Sequence, residues 1–388
     1  MKFRTLKNIK SVKGKRVLVR VDFNVPLAKD GSIADDAKIR ASVPTIQWLM
    51  KRGARVILAS HLGRPVRPIV SLRLDAVAER LARLLVHPVH KSSDCVGPSV
   101  AAAVTSLKSG DVLLLENLRF HEGEEKNSAL FARALAKNAD LFVNDGFAVC
   151  HRAAASTVGV TRYLKSYAGL LVEKEVGALA RLQSHPKRPF VVLLGGAKIS
   201  TKIQVIDRLL PIADTLLLGG ALIHPLMKEK GWEIGRSFMA QGAYSMKPLT
   251  ATLKVMLPVD VVVSDARKKA AVRLIRDVKK SDTIRDIGPE TVRRYASVLR
   301  GAKTILWNGP LGTCEERTFS HGTLSLASVV AARSRGRAFG VAGGGETVEA
   351  LRRTGMIEYM DWVSTGGGAM LEYLAGRTLP GLLPLIIK

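Results

Sequence analysis

The 388-residue chain is short of cysteine, aromatic residues and acid. Its three cysteines, Cys95, Cys150 and Cys314, are too few and too scattered for a disulfide framework or a zinc site, and suit a reducing compartment. Aromatic residues make up 5% of the chain and are not interleaved with basic ones in the way that stacks nucleobases. No run of 18 apolar residues occurs, so no membrane span or membrane partner is expected. The opening MKFRTLKNIKSVKGKR lacks the apolar core of a signal peptide, and a cytoplasmic location is expected. Asp and Glu total 33 against 60 Lys and Arg, a net charge of +27. Such a balance favours anionic partners and gives non-specific, salt-sensitive attraction to nucleic acid. The basic residues are spread along the chain with no long tract, which fits a basic surface around a small-anion site better than a dedicated nucleic-acid protein. Two nucleotide signatures are also missing. There is no Walker loop, and no G-x-G-x-x-G with a later ribose-binding acid follows the first strand, which argues against a nicotinamide dehydrogenase.

What is present is regular. Length alone favours two domains. Strand-like runs at 16–21, 55–60, 112–117, 141–145, 190–195, 215–219, 259–264, 304–309 and 338–343 alternate with helical patterns at 39–52, 74–85, 129–138, 199–209, 289–299 and 323–333. This alternation predicts an α/β fold of parallel sheets flanked by helices. The stretch YAGLLVEKEVGALARLQSHPKRP reads as a long helix closed by Pro186 and Pro189, and it is where the two domains are expected to join.

In open α/β sheets, ligands sit beyond the carboxyl ends of the strands. In the first half those positions hold Asp22, Asn24, His61, Arg64, Arg119 and Arg152, a set suited to a small polyanion, since guanidinium forks match phosphate and carboxylate. In the second half they hold glycine turns: LLGGAK, LLLGGA, LWNGPLG, GVAGGGE and VSTGGGA. The two GGG turns are placed to open helices, whose amides can hold phosphate oxygens. Glu346, in the first turn of one of them, can offer a carboxylate to Mg²⁺ on a nucleotide. Lys198 and Lys202, four apart after a strand and a glycine turn, are expected on one helix face beside a phosphate. The combination points to a phosphotransferase with one substrate on each domain.

RVLVRVDFNVPL, ILASHLGRP, LLLENLRFHEGEEKN, HRAAASTVG, LLGGAKISTKI, DIGPETV, ILWNGPLG and VSTGGGAMLEYLAG stand in the order of the segments of phosphoglycerate kinases, and the chain resembles that family over nearly its full length. The resemblance implies two Rossmann-like domains joined by a hinge helix. Residues 1–170 would bind 3-phosphoglycerate or 1,3-bisphosphoglycerate, with the tail from about 365 packing back on them, and 171–364 would bind ATP or ADP with Mg²⁺. It implies a monomer. Carried over to this chain, Asp22, Phe23, Asn24, Lys38, His61, Leu62, Gly63, Arg64, Arg119 and Arg152 would surround the phosphoglycerate. Gly196, Lys198, Lys202, Gly220, Asn308, Pro310, Gly312, Glu315, Gly343, Gly344, Gly345, Glu346 and Thr347 would hold the nucleotide, with Glu346 on the metal. Lys38, Lys198, Gly345 and Gly367 would attend the phosphoryl group in flight. Four positions depart from the family pattern: Lys38 stands where arginine is expected, Ala154 where a second histidine is common, Arg285 for a leucine near the adenine, and Glu346 for an aspartate. The departures bear on rate rather than fold. A diverged paralogue that binds nucleotide or nucleic acid without kinase activity is the alternative reading.

Overall fold

The computed structural model describes residues 2–199, 202–239, 249 and 252–387. The chain divides into two units, Met1–Gly177 with Thr378–Lys388, and Ala178–Arg377.

The first unit carries strands β1 (Arg16–Arg20), β2 (Arg55–Ala59), β3 (Val89–Lys91), β4 (Val112–Leu114), β5 (Leu141–Asn144) and β6 (Ser166–Ala168). They form one sheet of order β3-β4-β2-β1-β5-β6 with every pair parallel. Alternate residues feed opposite faces, as the two-residue period of a strand requires. Val17 and Val19 join a core with Ile39, Ile46, Val77 and Leu81 from the helices Ala37–Met50 and Asp75–Leu85. Leu18 joins another with Val100, Val104, Ala132 and Leu135 from Pro98–Ser106 and Ala129–Ala136. Burial on both faces explains why these strands read as nearly unbroken apolar runs.

The second unit carries β7 (Phe190–Leu194), β8 (Thr215–Leu218), β9 (Val255–Met256), β10 (Asp260–Ser264), β11 (Ala270–Leu274), β12 (Thr283–Ile287), β13 (Thr304–Asn308), β14 (Phe339–Gly343) and β15 (Trp362–Ser364). Six of them make a parallel sheet of order β15-β14-β13-β7-β8-β9. The other three form a separate antiparallel sheet, β11-β10-β12. Strand β10 therefore does not belong to a βαβ unit, contrary to the expectation from alternation. A tight turn follows it: Lys268 takes a left-handed φ of 59°, and the Asp265 side chain accepts the Arg267 and Lys269 amides. The turn sends the chain straight back as β11.

The chain passes between the units inside the helix Leu170–Ser184. The helix Gly367–Leu374 packs on Ile203–Leu209 in the second unit, and the chain rejoins the first at Thr378. The tail is fastened by the Arg4 N–H to Leu385 O (2.8 Å), the Ile387 N–H to Lys2 O (2.9 Å) and the Gly381 N–H to Cys150 O (2.8 Å).

Candidate active site

Within the first unit the loops after β1, β2 and β4 are bonded to one another. Asn24 Oδ1 accepts the Gly63 N–H at 2.9 Å, and Asn117 accepts the Leu62 N–H while donating to Leu62 O at 2.8 Å. The Phe23 N–H donates to Ser60 Oγ at 2.8 Å. The side chains of Phe23 and Leu62 lie in the core. Phe23, Leu62 and Gly63 thus shape the loops, with these backbone groups already engaged.

Charged groups stand on this frame. Lys38 Nζ donates to Asp22 Oδ2 at 2.7 Å. Burial works to raise the Asp22 carboxyl, but Lys38, aided by His61 and Arg20, outweighs it and holds the group below the usual carboxylate range. Arg20 Nη2 lies 3.2 Å from His61 Nδ1. A guanidinium can only donate, so Nδ1 accepts and the ring proton sits on Nε2. Burial drives the His61 pKa down to about 3, against the pull of Asp22 and with the help of the Arg20, Arg119 and Lys38 charges. His61 is therefore a neutral donor through Nε2.

A cavity of about 230 Å³ is lined by Arg20, His61, Arg119 and Arg152 together with Glu124 and Glu125. Arg119 pairs with Glu125 at 3.0 Å, and Arg152 approaches the same oxygen at 3.5 Å. Burial lowers the Arg119 pKa; Glu125 opposes this, and Arg152, Arg64 and Arg20 add to it, so four guanidiniums act on one another here. Arg20 and Glu124 were not among the expected residues. Arg20 Nε donates to Ser156 Oγ (2.8 Å), whose hydroxyl donates to Glu124 Oε1 (2.6 Å). The signal was an arginine closing an otherwise buried parallel strand, where a charge survives only with partners.

In the second unit β7 and β13 are neighbours whose following connections leave in opposite directions, to β8 on one side and β14 on the other. Such a switch point is where α/β sheets open a crevice. The glycine turns after these strands are laced together: the Gly195 N–H donates to Asn308 O (3.0 Å), the Gly196 N–H to Pro310 O (2.6 Å), the Gly220 N–H to Leu311 O (3.0 Å) and the Leu222 N–H to Gly196 O (3.1 Å). A Cβ on Gly195 would lie 2.0 Å from Pro310 O, and one on Gly309, at φ +92°, 2.3 Å from Gly195 O. Only glycine lets these backbones meet.

Both GGG turns open helices, Gly345–Arg353 and Gly367–Leu374, and a Cβ on Gly367 would lie 3.4 Å from Gly344 Cα. Asn308 Nδ2 donates to Gly343 O (2.7 Å), and Thr347 Oγ1 accepts the Gly309 N–H (2.7 Å). Both side chains are buried and clamp the glycine loops. The lysine pair differs from expectation. The helix begins at Ile203 with Lys202 as its N-cap, so Lys198 precedes it and the two do not share a helix face; Ser200 and Thr201 lie outside the described residues. Lys202 Nζ rests 2.8 Å from the place of a Gly196 Cβ. Burial lowers its pKa, Glu346 opposing and Lys198 adding.

A cavity of about 240 Å³ opens on these loops, with Gly196, Gly220, Pro310, Gly312, Glu315 and Glu346 in its wall. Glu315 and Glu346 also line an adjoining cavity, whose wall includes Gly345. Glu346 thus puts a carboxylate beside the glycine turns, a ligand type that Mg²⁺ accepts, since the ion takes one or two carboxylates along with phosphate and water oxygens. Asp94, Cys95 and His121 are also close enough to share a metal. There Asp94 Oδ1 already pairs with His121 Nε2 at 2.6 Å, and the Cys95 thiol donates to Glu116 O.

The family model of phosphoglycerate kinase matches residues 6–377. The chain belongs to the phosphoglycerate kinase family. It is 48% identical to the phosphoglycerate kinase of Moorella thermoacetica over 394 residues, covering 99% of both chains. Against that of Coprothermobacter proteolyticus it is 43% identical over 396 residues, with both chains covered completely. The solved phosphoglycerate kinase structure from Coxiella burnetii is similar at a TM-score of 0.84 and 36% identity, covering 99% of each chain. That from Pyrococcus horikoshii is similar at 0.83 and 32%, covering 99% of this chain and 98% of the other. Against the phosphoglycerate kinase pattern, Lys38 meets Asp22, Ala154 lines the arginine cavity, Glu346 stands beside the glycine loops, and Arg285 pairs with Glu316 over the Phe319 ring.

Proposed function

We propose that this chain transfers a phosphoryl group reversibly between 1,3-bisphosphoglycerate and ADP, giving 3-phosphoglycerate and ATP, as a monomer in the cytoplasm. The first unit is the phosphoglycerate domain and the second the nucleotide domain. The observation that carries this reading is the pairing of chemistries: an arginine-lined cavity on one parallel sheet and a cradle of interlocked glycine turns at the switch point of the other.

Arg64, Arg119 and Arg152 bind the anionic ends of the phosphoglycerate through charge-assisted hydrogen bonds. Glu125, shared by Arg119 and Arg152, keeps them together until the ligand takes over. His61 donates through Nε2 to a substrate oxygen, oriented by Arg20. Lys38, held by Asp22, supplies positive charge to the transferring group. On the nucleotide side the backbone amides of Gly343–Gly345 and Gly366–Gly368 receive phosphate oxygens, Lys198 and Lys202 neutralise them, and Glu315 takes the ribose hydroxyls. Glu346 would hold Mg²⁺, which when bound neutralises phosphate charge. Phosphoryl transfer needs positioning and charge neutralisation more than covalent participation by the protein. Excluding water during the transfer requires hinge bending between the units. The net charge of +27 adds non-specific, salt-sensitive binding of nucleic acid as a by-product.

Calorimetric titration tests the assignment of ligands to units. 3-Phosphoglycerate should lose affinity on Arg119→Ala while Mg-ADP binds as before, and Glu315→Ala should do the reverse. Loss of both ligands from either variant, with its fold intact, would count against two separate sites.

A further inference from the structure

The small antiparallel sheet of the second unit ends in β11, whose outer side has no neighbouring strand among the described residues. In an antiparallel pair, opposed residues alternate between those that exchange both backbone hydrogen bonds and those that exchange none. The two ends of the β10–β11 ladder fix which set is which: the Asp265 N–H donates to Lys269 O (2.9 Å) and the Ile275 N–H to Val259 O (3.0 Å). Between them Val263 stands opposite Ala271 and Val261 opposite Arg273, in step with those bonds. Ala270, Val272 and Leu274 therefore turn their N–H and C=O groups away from β10, along the open edge. Among the described residues these N–H groups have no backbone acceptor, and Val272 O meets only the Arg273 guanidinium, at 3.4 Å.

The side chains of the same three residues share one face of the sheet, since alternate residues of a strand point the same way. Val272 is 53% and Leu274 61% exposed, an apolar stripe along the open edge. Sheet edges are commonly guarded against pairing by a lysine, a proline or a bulge within the strand. β11 has none of these: its ladder with β10 runs without a shift, and its one charged residue, Arg273, lies on the other face, 3.5 Å from Asp282. The charges stand past its ends instead. Arg267, Lys268 and Lys269 precede it and Arg276, Lys279 and Lys280 follow it, all exposed. The acids of this stretch are Asp277 and Asp265, and the Asp265 side chain is turned onto backbone amides.

We propose that the open edge of β11 is a docking site for an extended acidic segment of another protein, which adds to this sheet as a further strand. Its backbone pairs with Ala270, Val272 and Leu274, its apolar side chains cover Val272 and Leu274, and carboxylates at its two ends meet the flanking basic residues. The five residues of β11 span about 17 Å, room for a peptide rather than for the interface of a stable dimer. Charge also excludes a second copy of this chain, since β11 against β11, in either direction, sets basic ends against basic ends. The proposal is independent of the phosphotransferase reading.

The test is amide hydrogen exchange of the full chain, alone and with the synthetic peptide Glu-Glu-Val-Thr-Val-Thr-Val-Glu-Glu. In the free protein the Ala270, Val272 and Leu274 amides should exchange fast and those of Ala271 and Arg273 slowly, and the peptide should slow the first set. The same peptide with lysine in place of glutamate should give no protection. By fluorescence anisotropy of the labelled peptide, Lys268→Glu combined with Lys269→Glu should weaken binding about 10-fold, because attraction becomes repulsion at two exposed positions. Val272→Pro removes an outward N–H while leaving the ladder to β10 intact, and should weaken binding too. Slow exchange of Ala270, Val272 and Leu274 in the free protein, whether from self-association or from cover by the chain itself, overturns the proposal. So does an absence of protection by the acidic peptide, or equal protection by a DNA duplex of arbitrary sequence, which would mean that charge alone is recognised.

Discussion

Replacing Lys38 by Ala separates a structural debt from a catalytic one. Asp22 is almost wholly buried, and the Lys38 ammonium at 2.7 Å is foremost among the charges that keep its carboxyl below the ordinary range. Without Lys38, the foremost charge opposing burial is gone and the carboxyl moves up from its wild-type position. Removing one partner of a fully buried pair costs about 3–5 kcal/mol. The Lys38 side chain is 31% exposed, so water screens the pair and the figure falls to about 2 kcal/mol. For a unit of this size that is roughly 4–8 °C in thermal midpoint. The sign of the pH dependence follows. In the wild type the depressed Asp22 carboxyl contributes stability above its unfolded value, lost as pH falls through the folded one. In Lys38→Ala the carboxyl is higher than in the wild type, so part of that stability is gone at neutral pH and less is left to lose as pH falls. The gap between the two proteins should be widest near pH 7 and narrow toward pH 4. Lys38→Arg should show little of it and, with a fork able to reach two phosphoryl oxygens, should turn over faster. Thermal melts at several pH values read the first effect and steady-state kinetics the second. A gap that is flat or widens toward acid would refute the role assigned to the Lys38–Asp22 pair.

Other outcomes follow from the same geometry. Arg152→Ala should weaken 3-phosphoglycerate binding by roughly 1.5 to 3 kcal/mol, the worth of a hydrogen bond to a charged group, as read by titration; wild-type affinity would remove Arg152 from the site. Gly309→Ala meets Gly195 O and a left-handed backbone worth about 1–2 kcal/mol by itself, so Mg-ADP binding should fail while 3-phosphoglycerate still binds. Asp145 is buried, its Oδ1 accepting the Leu171 N–H, and burial pushes its carboxyl up to about 8 despite that bond. A raised carboxyl costs stability increasingly as pH climbs from its unfolded value toward 8. Asp145→Asn should therefore gain more in thermal midpoint at pH 8 than at pH 5, and an equal gain at both would reject the shift.

The elements readable from sequence were those with enough residues to show a period. All nine strand-like runs contain strands: eight lie in the parallel sheets, whose strands are apolar stretches bounded by turns, and the ninth, β10, is an equally apolar run in the antiparallel sheet. β3, β6 and β15 have three residues each and β9 has two; β4 is as short but lies in the apolar run 112–115, which the others lack. β11 alternates between exposed and half-buried residues within DARKKAAVRLIRDVKK, where the lysines and arginines read as a solvated cluster. At the sites, residues at strand ends were visible because the fold class dictates where to look. His61, Arg119 and Arg152 indeed share one cavity, and Gly196, Gly220, Pro310, Gly312, Glu315 and Glu346 another. Residues that act through others were not visible. Arg20 looked like part of a strand, and Glu124 and Ser156 meet only across 32 positions. Nor could spacing show that the lysine pair straddles a helix start.

The most direct measurement of the central claim is phosphoryl transfer itself. With 3-phosphoglycerate and Mg-ATP, formation of 1,3-bisphosphoglycerate, followed by coupling it to NADH oxidation through an added dehydrogenase, should saturate in both substrates and fall on Arg152→Ala. A protein that binds both ligands by titration yet forms no 1,3-bisphosphoglycerate above the enzyme-free control would contradict it.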